Sequence, residues 1–143
     1  MVDGFAKTPR YVLRDGSHPT SPLISQSSSD AQATVIFGFA DKPEYDIFLR
    51  SSGLALTPYP LVKGYLQNPI ALDNGASKLV VLDAASSQQR LLLAATFESV
   101  LEAFHLNSEA VAVSHRLVLE KSSSAYRIQR LVNAAFDVTK DQV

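Results

Sequence analysis

Four consecutive apolar residues, Leu79-Val80-Val81-Leu82, stand between Lys78 and Asp83. A strand sends successive side chains to opposite faces, so a run that is apolar at every position has to be covered on both. That requirement predicts an interior strand with further layers on each side. A second run, ATVIFGF at 33–39, is β-branched and aromatic and reads as another buried strand. Gly38 within it marks a bulge or a close backbone approach.

The flanking segments predict how these strands are connected. Asn74-Gly75, between two apolar stretches, is the sequence of a type I′ turn, because both central residues need positive φ. It predicts a β-hairpin over about 69–83. Asp41 with Glu44 three residues on has capping-box spacing, Pro43 suits a first helical turn, and Gly53 suits a left-handed stop. A short helix over 43–52 follows. Pro60 opens another through Gln67, with Asn68-Pro69 as its end.

Ser86 and Gln89 repeat the capping-box spacing. Leu93, Phe97, Val100, Leu101 and Phe104 then form an apolar stripe, predicting a long helix at 86–106, roughly 30 Å of it. AVAVSHRLVLE at 110–120 alternates with period two and reads as a strand. Three serines at 122–124 cap a last helix over 123–137, with Ile128, Leu131, Val132, Ala135 and Phe136 on one face. Near the start, Tyr11 to Arg14 is a short strand, and 15–30 is a flexible Ser/Pro-rich loop. No internal repeat or linker divides the chain. The expectation is one α+β domain over 1–143, with the hairpin in a mixed or antiparallel sheet packed against the long and C-terminal helices.

Composition removes several functions. Thirteen basic and fourteen acidic residues leave a formal charge of −1, so no global field draws in nucleic acid or an anionic membrane. The absence of cysteine excludes disulfides, thiolate ligands and a cysteine nucleophile. MVDGFAKTPR lacks the apolar stretch of a secretory signal, and no aliphatic run is long enough for a bilayer. A cytoplasmic protein with no membrane association is expected.

Three functional readings compete. An enzyme would use Asp83, at the end of the apolar strand, with His115, on the buried face of the later strand, as base and orienter. The bland alternatives are a turn residue and a core histidine. The nucleophile-elbow, phosphate-loop, zinc-protease and dinucleotide motifs are all missing, so neither cofactor nor metal is expected. His18 lies in the Ser/Pro-rich loop. His105 falls at the end of the predicted long helix, where the dipole favours a cation.

A second reading is DNA binding, since 97–119 superficially resembles a helix-turn-helix. His105 occupies the tight-turn glycine position, Ser114 an inward position, and the second helix has few base-reading side chains. The third reading, which the missing motifs and the wide apolar stripes favour, is a non-catalytic regulatory or assembly module. It would act through protein contacts, with a partner protein or with itself. Asp83 is then a boundary residue near the amino end of the helix that starts after Ser86.

Overall fold

The computed structural model describes residues 5–16, 18–25, 33–71, 77–121 and 124–131. The strands are β1 (Phe5–Lys7), β2 (Tyr11–Asp15), β3 (His18–Pro19), β4 (Thr34–Phe39), β5 (Thr57–Pro60), β6 (Lys78–Leu82), β7 (Leu91–Thr96), β8 (Ala110–Ala112), β9 (His115–Leu119) and β10 (Tyr126–Arg130). The helices are α1 (Lys42–Ser52), α2 (Lys63–Ala71) and α3 (Phe97–His105). Eight strands form one sheet in the order β10-β9-β7-β6-β4-β2-β3, with β5 also paired to β2, and β1 pairs β8 separately. Only β4 and β6 run parallel among these pairs; the rest are antiparallel. The fold is therefore α+β around a mixed sheet.

Both apolar runs lie at the centre of that sheet, and both of its faces are covered there. Leu79, Val81, Phe37 and Phe39 pack with Phe48 of α1 on one face. Val80, Leu82 and Ile36 pack with Leu66 of α2 and with Phe97, Val100 and Ala103 of α3 on the other. Helix α1 begins and ends as its sequence requires: Asp41 accepts from the Lys42 N–H, proline sits in the first turn, and Gly53 adopts φ 66° and donates to the Leu49 carbonyl.

Several expectations are corrected. Residues 69–71 close α2 rather than start a hairpin arm, and the helix continues through Asn68-Pro69. Both edges of β6 are taken, by β4 and by β7, and 69–71 are helical, so these three residues form no hairpin arm beside it. Asn74 and Gly75 lie outside the described residues. The helix expected at 86–106 is divided: 91–96 is strand β7, and helix starts only at Phe97, capped by Thr96, whose hydroxyl accepts from the Ser99 N–H at 3.0 Å.

Ser86 and Gln89 do not form a capping box with each other, but each side chain accepts from a nearby amide. Ser86 Oγ accepts from the Gln88 N–H, and Gln89 Oε1 accepts from the Ala85 N–H. They close a turn, not a helix, and this loop is pinned by Ser52 Oγ and the Tyr126 hydroxyl. Of the helix expected at 123–137, residues 126–130 are strand β10, paired along β9 with Tyr126 and Ile128 buried. Residues 132–137 lie outside the described part. The strand expected at 110–120 is present but broken at Val113 and Ser114, so that β8 leaves the main sheet.

The start of the Ser/Pro-rich segment is also tied down. β3 pairs β2, Ile24 bridges to Tyr126, and Ser25 is buried. At the far edge, β5 carries Pro58 and Pro60. The Leu61 N–H donates to the Arg10 carbonyl, so the inward amides fall at odd positions and the two prolines occupy the outward ones. An edge lacking those donors resists pairing with another strand.

Candidate functional site

Asp83 leaves β6 with φ 52°, a left-handed conformation that aspartate tolerates better than most residues. Its N–H donates to the Gly38 carbonyl at 2.9 Å, and its Oδ1 accepts from the Ala40 N–H at 2.8 Å. The residue thus stitches the carboxyl ends of the parallel pair β4 and β6 together just ahead of α1. This corrects one part of the boundary reading. The carboxylate serves a backbone amide before α1, and residues 87–96 form a turn and β7 in place of the expected helix.

Burial pushes the Asp83 carboxyl above its usual range. The Ala40 N–H opposes the rise, Glu44 adds to it, and Lys7 opposes it. Glu44, in the first turn of α1, lies 3.8 Å from Lys7 Nζ, while its buried Oε1 has no hydrogen-bond partner among the described residues. Among the described residues no cluster of histidine, aspartate and glutamate could hold a metal ion.

A stability consequence follows. With the folded carboxyl raised above 3.8, the folded state binds a proton more readily than the unfolded chain does. Stability therefore falls as pH rises from 3.8 through the folded value, and above that window the ionised Asp83 is a net cost. Asp83→Asn keeps an acceptor for Ala40 and a residue type that accepts positive φ. It is expected to match or exceed wild-type stability at neutral pH, by a margin that solvent screening of the partly exposed carboxyl keeps small, with the difference vanishing in acid. Denaturant melts between about pH 3.5 and pH 8 check this. A mutant clearly weaker than wild type at neutral pH would mean that the charge itself holds the boundary.

His115 is 4 % exposed on β9, facing Ala94 of β7 and Arg130 of β10 across the ladder. Its Nδ1 lies 2.8 Å from Ser114 Oγ. The structure does not join it to Asp83. Strand β7 stands between β6 and β9, which separates their backbones by roughly 10 Å, and Asp83 turns to the β4 side instead. The helix-turn-helix geometry is absent too: α3 occupies its first position, but β8 and β9 replace the second helix.

Sequence reasoning missed the exposed pair on β7. Leu91 and Leu93 are 45 % and 40 % exposed, while Leu92 and Ala94 between and after them are buried. They share a face with Ala95, which packs under α3, but neither helix of that layer covers them. Across the ladder they meet Val118 and Arg116 of β9. Arg116 is hydrogen-bonded to Gln129, and Arg127 is paired with Glu120 at 3.3 Å. On the other side α3, which continues directly from β7, leaves Glu98 and Glu102 exposed. An uninterrupted Leu-Leu-Leu hides the alternation; only Thr96, a good cap, signals that the helix begins later.

Comparison with family models, with curated proteins and with solved structures finds no match. Among the described residues no helix is long and apolar enough to cross a membrane.

Proposed function

We propose that this protein is a non-catalytic assembly or regulatory module that acts through protein–protein contact, with a second copy of the chain on the Leu91–Leu93 face. The observation that carries the reading is a pair of leucines, 45 % and 40 % exposed, on the half of β7 that pairs with β9, just before Ala94–Thr96 pairs with β6. Apolar side chains at such a position are ordinarily roofed by a helix, and a leucine column rimmed by charge is the composition of a contact surface.

The charges favour self-pairing. Arg116 and Arg127 lie on the β9 and β10 side of the leucines and Glu98 and Glu102 on α3 beyond the end of β7, so one patch carries both signs of charge, as the self-complementarity of an isologous contact requires. The test is sedimentation velocity over a concentration series. Wild type is expected to move toward dimer, and Leu93→Glu to stay monomeric with stability changed by less than about 0.5 kcal/mol, as for an exposed site. A wild type that remains monomeric throughout, or a variant that associates equally well, would overturn the reading.

A further inference from the structure

On the α2 side of the sheet, at its Pro-blunted edge, lies a cavity of about 240 Å³ built from β2, β3, β5 and α2. The register explains its lining. Arg14 faces Thr57 and Pro19, and Val12 faces Tyr59, so Val12, Arg14, Pro19 and Tyr59 all project to the face that α2 covers. Leu61 completes the floor, and Tyr65 of α2 forms the opposite wall. Tyr65 is held in place by its own packing, with its ring 6.1 Å from Phe97, and burial raises its hydroxyl above the usual range.

The polar content of this cavity is unbalanced. The Arg14 guanidinium lies 4.2 Å over the Tyr59 ring, which fixes its plane. Its Nε–H is buried and has no acceptor among the described residues. Among the described residues no aspartate or glutamate lines the cavity. A buried donor on a charged group normally finds an acceptor, because leaving it without one costs its desolvation. Here the described residues supply a rigid cationic fork and apolar walls, but no carboxylate.

We infer that this cavity binds a small aryl carboxylate, with its carboxylate on the Nε–Nη edge of Arg14 and its ring among Val12, Leu61 and Tyr65. A carboxylate matches that edge with two parallel hydrogen bonds. A phosphate ester carries more charge than one arginine offsets; the next cations, Arg10 and Lys63, line the adjoining cavity beyond Leu61 and Val62. Size agrees as well. An apolar cavity of about 150 Å³ accepts benzene, and about 240 Å³ leaves room for a carboxylate on the ring. This site is separate from the β7 face, so it stands whether or not the chain self-associates.

The test is a titration of the full chain with benzoate, followed by amide and arginine side-chain NMR. Saturable shifts are expected at Val12 to Asp15, at Thr57 to Tyr65 and at the Arg14 Nε–H. Benzyl alcohol, which keeps the ring without the charge, and acetate, which keeps the charge without the ring, are each expected to bind at least about tenfold more weakly. Arg14→Leu should abolish the benzoate shifts while keeping a dispersed spectrum. Arg14→Lys, which keeps the charge but loses the planar fork, should weaken binding by about tenfold. No saturable shift with benzoate would overturn the proposal, as would equal binding of benzyl alcohol or an unchanged affinity in Arg14→Lys. Tighter binding of phenyl phosphate than of benzoate would overturn the carboxylate assignment.

Discussion

Phe48→Ala is expected to destabilise the fold by about 3–5 kcal/mol, and so to lower its melting temperature by roughly 10–15 °C. Phe48 is the fully buried residue of α1, and its ring meets Phe37 at 4.9 Å and Phe39 at 5.2 Å, the second edge to face. Tyr45 and Leu49 add only partly buried contacts beside it. Helix α1 has few apolar residues of its own, so its place on the sheet depends on this one ring. Both partner rings lie on β4, the strand that pairs with β6, and truncation therefore opens a void beneath the helix and over the sheet centre. The rigid sheet has little room to close it, which puts the cost toward the upper end of the range.

Denaturant melts followed by two probes check this expectation, one of them sensitive to helix and the other to the Tyr126 environment in the sheet. Coincident transitions shifted by the expected amount would show α1 and the sheet unfolding together. A loss below about 1.5 kcal/mol, or an early helical transition alone, would show that α1 is a loosely held appendage.

The same anchoring explains which elements were legible in the sequence. Helix α1, with its aspartate cap, early proline and closing glycine, is expected over 43–52 and found over Lys42–Ser52. Strands β4 and β6 also agree within a residue or so, because runs apolar on both faces leave few options. The misread segments share a cause. In LLLAAT every residue but Thr96 is a strong helix former, yet pairing with β6 on one edge and β9 on the other holds it as strand. The apparent helical stripe joined Leu93, exposed on a strand, to Phe97, buried on a helix. At 126–130 the alternation Tyr126-Arg127-Ile128 is a strand signal, overridden in reading by the helical spacing of residues farther on.

The candidate sites were less legible than the fold. The leucine face depends on which segments are strands, and the Arg14 cavity depends on pairings among β2, β3 and β5 that no local pattern announces. Asp83 stood out correctly as a boundary. Its partner Ala40, forty-three residues away, is visible only once β4 and β6 are known to run parallel.

Gly38→Ala is expected to cost about 2–3 kcal/mol, although alanine is ordinarily the better residue in a strand. A Cβ at position 38 would lie 2.4 Å from Val80 Cγ1 and 3.0 Å from Pro9 Cβ. Neither neighbour can give way easily. Val80 is fully buried, is β-branched and so stiff at χ1, and sits on the adjacent strand β6, while Pro9 is closed in a ring and buried as well. The glycine is present for the close approach, and its φ is not positive, so backbone conformation is not the constraint. Displacing β4 from β6 also strains the hydrogen bond from the Asp83 N–H to the Gly38 carbonyl, and with it the stitch at the strand ends. Val80→Ala removes the methyl in the way, so the double variant should be less destabilised than the sum of the singles by about 1 kcal/mol or more. Equilibrium melts of the four proteins measure that coupling. Additive losses, or a neutral Gly38→Ala, would mean that the β4–β6 packing relaxes freely and that Gly38 is not what brings the two strands together.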